Sequence, residues 1–369
     1  MANFTDRVGR LQEAMRASGI GLAVLAPGAQ MRYLSGWAEP GHERLLALFV
    51  PASGEPAFVV PALNAAQAAA NPAAIRDLRS WDDAAGWEGV VSALVNARVR
   101  ERAFAIDDEL QSGHLLALQR LFPGARWEPG SALMARLREV KESDELAALQ
   151  RSAAITDAVY EECVRLLREG MTELEMVALL ADAYERRGAR ADFAIVGFGP
   201  NSALPHHSPG DAALADGDVA VIDIGCSVDG YASDITRTVA FGTPPPEAGE
   251  VYRVVLRAHQ AAQGVARPGA TCESVDRAAR DVIESAGYGE RFIHRTGHGI
   301  GLSGHEPPYI VAGNTQALRP GMCFSDEPGI YLPGRFGVRI ENILTITPDG
   351  ASSLNAAPPA DLPAIRPAP

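Results

Sequence analysis

Residues 218–242, DVAVIDIGCSVDGYASDITRTVAFG, decide the reading of this sequence. Residues 219–224 form an apolar run interrupted by one acid, Asp223. A strand that is apolar on both faces is normally buried on both faces. An unpaired carboxylate buried there carries a large desolvation cost or stays protonated. Asp229 and Gly230 predict a tight turn, and residues 233–241 the returning strand. Asp234 then lies nearly opposite Asp223, and their odd sequence separation puts both side chains on one face of the hairpin. Two carboxylates facing each other in a sheet core repel unless a cation or a shared proton lies between them. A metal ion is the reading preferred here; the alternative is a pair of turn or edge aspartates, one of them bound to Arg237.

Around that hairpin the composition is that of an ordinary globular chain. Of 369 residues, 47% are hydrophobic and 21% charged, enough for two domains with full cores. The formal net charge of −13 argues against nucleic acid or an anionic membrane surface as a partner. Cys163, Cys226, Cys272 and Cys323 are far apart and form no CxxC pair, so they read as reduced thiols of a cytoplasmic protein. No apolar run approaches the roughly 20 residues of a membrane span, and the N-terminus reads as an amphipathic helix rather than a secretion signal.

In chain order, residues 4–18 predict a helix, followed by strands at 20–25, 45–51 and 56–60 and helices near 61–70 and 86–98. A strand near 103–106 and a helix near 110–121 continue this alternating α/β pattern to about residue 130. A basic helical segment over 131–141 leads into a long helix over about 143–168. Thr172 and Glu175 form a capping box that opens another helix to about 187. Further helices are expected near 247–266 and 272–286. The domains expected are 1–135 and 140–355, with a Pro/Ala-rich irregular tail over 356–369.

Three more stretches of the second half place acids and histidines where a core would not want them. In FIHRTGHGIGLSGHEPP, three histidines, His294, His298 and His305, fall within twelve residues and are threaded with glycine. In MCFSDEPGIY, Glu327 precedes Pro328, which favours an extended backbone. In GVRIENILTIT, read as a strand, Arg339 and Glu341 share a face. The set Asp223, Asp234, His298, Glu327 and Glu341 holds four carboxylates and one imidazole. Four carboxylates neutralise two divalent cations, so this cluster can be buried only as a dinuclear site. Oxygen-rich ligation with one imidazole suits Mn²⁺, Co²⁺ or Fe²⁺, with Zn²⁺ compatible.

With those residues in place, the sequence resembles the aminopeptidase P and prolidase group of the pita-bread dinuclear metallopeptidases. The matching motifs are NSALPHH (201–207), VIDIGC…YASDITRT (221–238), HRTGHGIGLSGHEPP (294–308), DEPGIY (326–331) and VRIEN (338–342). The resemblance implies an α+β chain, with a creatinase/prolidase-like α/β N-terminal domain followed by a pita-bread, methionine aminopeptidase-like catalytic domain. It implies that Asp223 serves one metal, His298 and Glu327 the other, and Asp234 and Glu341 both. It implies Glu327 as general base, His206 and His305 at the scissile carbonyl, and His294 and Arg339 at positions around the ligands and on the substrate side. Tyr231, which lies in the aspartate hairpin, is a further candidate substrate contact.

The function implied is hydrolysis of the Xaa-Pro bond, at the N-terminus of peptides or in dipeptides, by a cytoplasmic homodimer with two metal ions, manganese foremost. Alternatives are a non-peptide C–N hydrolase of the ectoine hydrolase type and a non-catalytic binding module. Two departures stand out. Some prolidases carry an arginine where this chain has Tyr309, so one anchor for a dipeptide carboxylate is missing, and Xaa-Pro-Xaa peptides are expected to serve at least as well as dipeptides. His207 and Asp326 have no assigned role in this reading.

Overall fold

The computed structural model describes residues 3–95 and 102–365. The chain divides into two compact units, Met1–Arg138 and Glu139–Pro369. The first is built on a six-stranded sheet in the order β4-β3-β2-β1-β5-β6. Its strands are β1 (Ile20–Leu25), β2 (Ala47–Pro51), β3 (Ala57–Pro61), β4 (Asp77–Trp81), β5 (Ala103–Ile106) and β6 (Arg126–Pro129). β1 is apolar throughout and buried at every position, as a central strand must be. β4 and β6, rich in Arg, Asp and Glu, escaped the sequence reading because they are sheet edges with exposed side chains. The helix expected over 86–98 runs Glu88–Leu94, and positions 96–98 lie outside the described residues.

The second unit has three sheets. One runs β18-β10-β8-β7, with β9 paired to β8; a second runs β12-β11-β13-β16-β17; β14 and β15 form a two-stranded ribbon. The strands are β7 (Arg190–Phe198), β8 (Val219–Val228), β9 (Tyr231–Ala232), β10 (Ile235–Phe241), β11 (Gly297–Gly299), β12 (Glu306–Ile310), β13 (Cys323–Asp326), β14 (Gly329–Leu332), β15 (Phe336–Arg339), β16 (Asn342–Thr347), β17 (Gly350–Ser353) and β18 (Ala364–Ile365). The helices Ser143–Val164 and Glu173–Glu185 share an apolar core with β7, β8 and β10. The helices Pro246–Val265 and Cys272–Ser285 share another with β13 to β16. The predicted capping box is present, Thr172 accepting from Glu175 N and Glu175 from Thr172 N. Among the described residues, no helix is long and apolar enough to cross a membrane. All four cysteines are buried and free.

Parity along β8 explains why an acid can sit in an apolar strand. Ala220, Ile222, Ile224 and Cys226 point into the first core, so Val221, Asp223 and Gly225 point the other way. Asp229 (φ 52°) and Gly230 (φ 84°) make the tight turn, with Val228 opposite Tyr231. This register seats Asp223 opposite Thr236, not Asp234. Asp234 is one diagonal step away on the same face. The return strand is broken at Ser233 and Asp234, because Ser233 Oγ accepts from Cys226 N (3.0 Å) and approaches Thr156 Oγ1 (2.6 Å).

Three further expectations are corrected. The long helix stops at Val164, well before Gly170. Arg339 and Glu341 do not share one strand, since β15 ends at Arg339 and β16 begins at Asn342. The tail contains β18, which pairs parallel with β10 at Ala240 and Phe241.

The tightest backbone approach lies at β11. A Cβ on Gly297 would stand 1.7 Å from the Ser325 carbonyl oxygen. Gly297→Ala is therefore expected to part β11 from β13 and cost roughly 3 kcal/mol or more of stability. Urea unfolding checks this; a wild-type midpoint would mean the two strands are not packed at this distance.

Candidate active site

A cavity of about 570 Å³ in the second unit receives all five expected metal ligands. Phe193 and Ile195 of β7 form an apolar wall; Ile195 lies opposite Asp223 and Phe193 opposite Gly225, so all share one sheet face. Glu341 enters from the break between β15 and β16. Its backbone is pinned by its own N–H to Thr236 O (3.1 Å) and by Arg237 Nη1 to its carbonyl (2.5 Å). Arg237 therefore serves the backbone under Glu341 and is not the partner of Asp223 or Asp234.

Asp223, Asp234, His298 and Glu341 are buried, and Glu327 is only slightly open. His298 Nδ1 donates to Gly299 O (3.1 Å), which leaves the Nε2 lone pair facing Glu327 Oε1 (3.3 Å) and Asp234 Oδ2 (3.7 Å). A lone pair aimed at two carboxylates calls for a cation or proton between them. Burial first, then the neighbouring carboxylates, pushes the Asp234 and Glu341 carboxyls well above their usual range. Burial raises the Glu327 pKa, but a proton taken up at His298 Nε2, by its hydrogen bond and charge, would outweigh burial and bring it down to about 2.

The donor set fits divalent metal. Asp223 Oδ1 and Glu341 Oε1 are buried with no hydrogen-bond partner among the described residues. Three overlapping groups have ligand atoms mutually within 4.8 Å: Asp223–Asp234–Glu341, His298–Glu327–Glu341 and Asp234–His298–His305. Asp234, His298 and Glu341 each belong to two of them, so the groups form one continuous cluster.

The structure sorts the expected substrate residues. His206, exposed, and His305, also exposed, line the cavity, and the His305 ring lies 3.7 Å from that of His298. Arg339 lines it too, but its guanidinium is spent on Asp223 Oδ2 (2.6 Å), Thr236 Oγ1 (3.0 Å), Tyr331 OH (2.9 Å) and Pro205 O (3.2 Å). It orients a carboxylate rather than a substrate. His294 also borders the cavity; its Nδ1 donates to Arg295 O (2.7 Å) and its Nε2 accepts from Tyr331 OH (2.8 Å). Tyr231 is a correction: it is not among the cavity-lining residues, and its hydroxyl donates to Glu145 Oε1 (2.9 Å) in a separate apolar cluster.

Arg295 is the residue that sequence reasoning missed. It lines the cavity, stacks 4.4 Å over the Tyr309 ring and places Nη2 3.3 Å from His305 Nδ1. The signal was present, since Arg295 sits between two expected site histidines. Asp326 and His207 also find partners. Asp326 Oδ2 lies 3.0 Å from His259 Nδ1 in the core, and His207 Nε2 2.7 Å from Glu173 Oε2.

Comparison with known proteins agrees with this geometry. Residues 147–348 match the model of metallopeptidase family M24, and residues 7–140 that of the creatinase/prolidase N-terminal domain. A probable dipeptidase PepE of Mycobacterium tuberculosis is 42% identical over 359 residues, covering 96% of this chain and 95% of its own. An Xaa-Pro dipeptidase of Lactobacillus helveticus is 37% identical, covering 92% of this chain and 94% of its own. The crystal structure of a prolidase from Thermococcus sibiricus, 34% identical, superposes with a TM-score of 0.93 over 99% of this chain and 100% of its own. The chain therefore belongs to metallopeptidase family M24, as an α+β enzyme with a creatinase/prolidase-type N-terminal domain and a pita-bread catalytic domain.

Proposed function

We propose that this enzyme is an Xaa-Pro dipeptidase that works with two divalent metal ions, manganese foremost, with cobalt, zinc or iron as alternatives. The observation that carries the reading is the convergence of four carboxylates and the His298 Nε2 lone pair on one cavity, in groups that share Asp234 and Glu341. Asp223 would serve one ion, His298 and Glu327 the other, and Asp234 and Glu341 both. When bound, such ions lower the pKa of water and polarise a carbonyl. The four buried free thiols suit a reducing, cytoplasmic setting.

The chain's own groups supply the remaining steps. Glu327 is the most open of the four carboxylates, its side chain 17% exposed against 11% for Asp223 and 8% for Asp234. It takes the proton from the attacking water and returns it to the departing imino nitrogen of proline. His305 accepts from Arg295 at Nδ1, so its Nε2 carries the proton and can donate to the scissile carbonyl. Burial foremost, with the Arg295 guanidinium adding to it, lowers its pKa to about 4, so it is a neutral donor at pH 7. His206 lines the same cavity and would contact the carbonyl with it. Phe193 and Ile195 offer the proline ring an apolar wall.

The choice of dipeptides rests on Arg295. Tyr309 stands where some prolidases have an arginine, and on that ground the sequence predicts that Xaa-Pro-Xaa peptides serve at least as well as dipeptides. A guanidinium laid on the Tyr309 ring restores a cation to the cavity, and a planar fork suits a free carboxylate. The relatives named as dipeptidases favour the same choice.

Four outcomes are expected. Elemental analysis and calorimetric titration with Mn²⁺ should give two equivalents per chain, and Asp234→Asn no more than one; a single equivalent in the wild type overturns the dinuclear reading. Glu327→Gln should lower kcat by roughly 10²–10⁴-fold, and near-native turnover would remove the shuttle role. On Ala-Pro and Ala-Pro-Ala, kcat/KM should favour the dipeptide at least tenfold. Arg295→Met should lower the dipeptide value roughly 10- to 100-fold, as loss of a charged hydrogen bond of about 1.5–3 kcal/mol implies. Equal rates on both peptides, unchanged by Arg295→Met, would leave the anchor without a role. A Gly-Ala control separates proline specificity from general dipeptidase activity.

A further inference from the structure

We infer that Glu173 and His207 form a positioning device for His206, an inference that rests on the substrate role proposed above for His206. Glu173 is the first residue of the helix Glu173–Glu185, and its side chain is fully buried. Four donors converge on its carboxylate. Oε1 accepts from Phe198 N (3.0 Å) and Asn201 Nδ2 (2.9 Å), and Oε2 from Gly210 N (2.9 Å) and His207 Nε2 (2.7 Å). A carboxylate offers about four lone-pair sites, so all of them are filled. Because the carboxylate can only accept, His207 must present Nε2–H.

The donors come from residues 198, 201, 207 and 210, both ends and the middle of the segment that carries His206. The same helix terminus holds that segment's far end through its backbone, with Leu174 N to Gly210 O (3.2 Å) and Glu173 N to Ala212 O (3.1 Å). On the other side of His206, the Pro205 carbonyl accepts from Arg339 Nη1 (3.2 Å), the arginine that also holds Asp223. His206 is thus suspended between two fixed neighbours, one tied to the carboxylate cluster and one to Glu173. Burial by itself would raise the Glu173 pKa, but the four donors, His207 foremost, outweigh it and hold the carboxyl below its usual range. The negative charge matters to the clamp. An amide in its place would turn an NH₂ toward at least one of these donors.

The test is a double-mutant cycle on Ala-Pro hydrolysis, with metal content measured for every variant. Glu173→Gln and His207→Leu should each lower kcat roughly 10- to 100-fold, the scale of an ångström-sized misplacement. KM should stay within about threefold and both metals should remain. His207→Gln should recover most of that loss, because its amide can donate toward Glu173 Oε2. In a His206→Ala background, Glu173→Gln and His207→Leu should change kcat less than about twofold, since residues acting through one group are not additive. The same loss in both backgrounds would mean a general structural role and overturns the inference. So does undiminished kcat in both clamp variants while His206→Ala is impaired. If His206→Ala itself keeps full kcat, the proposed role of His206 fails, and the clamp with it. Should Glu173→Gln not fold, the His207→Leu and His207→Gln pair decides alone.

Discussion

The burial of four carboxylates around one cavity is the constraint on which the catalytic unit turns. Each charge removed from water costs several kcal/mol unless it is paired and hydrogen-bonded. Arg339 answers Asp223, the Thr236 hydroxyl answers Glu341 (2.7 Å) and the Ser325 hydroxyl answers Glu327 (3.0 Å). Asp234 faces Asp223 and lies 3.7 Å from His298 Nε2. One guanidinium cannot offset four acids, so the polypeptide's own hydrogen bonds leave a residual negative field that cations would satisfy. The acids also come from different sheets. Asp223 and Asp234 belong to the β8–β10 hairpin, His298 and Glu327 to the β11–β13 sheet, and Glu341 to the crossing between β15 and β16. Metal held by this set would join the two halves of the unit, so metal affinity and folding free energy are one linked quantity.

Much of this was legible before any coordinates. A two-residue turn and a strand's period of two put Asp223 and Asp234 on one face, and that parity holds although Asp223 is seated opposite Thr236, two residues on from Asp234. The glycines around His298 were legible too, because the neighbouring backbone leaves no room for a Cβ at Gly297. What the sequence hid were partners set by tertiary geometry. Tyr231 looked like a substrate contact because it lies in the aspartate hairpin, yet its hydroxyl bonds Glu145, 86 positions earlier. Asp326 had no reading because its partner, His259, lies on a helix 67 positions before it. β7 went unread because its first half alternates charged and small residues, and only its pairing with β8 fixes it as cavity wall.

The two arginines of the cavity divide its cationic labour. Arg339 is 3% exposed and bonded on every side, so lending a donor to substrate would strip one from Asp223 or from the Pro205 carbonyl. Arg295 is only half-buried, and a weakly hydrated guanidinium can lie on an aromatic face without losing its donors. Strand register brings them together. β11 and β12 run antiparallel with His298 opposite Tyr309, which carries the residues just before β11 over the Tyr309 ring. Tyr309 is therefore better understood as the platform for a cation supplied by the neighbouring segment than as a lost anchor. The same guanidinium faces His305 Nδ1 and helps to hold that imidazole neutral with its proton on Nε2. In the proposed dipeptidase, recognition of the free carboxylate and the donor state of His305 depend on one side chain, so substrate length and carbonyl contact cannot be tuned independently.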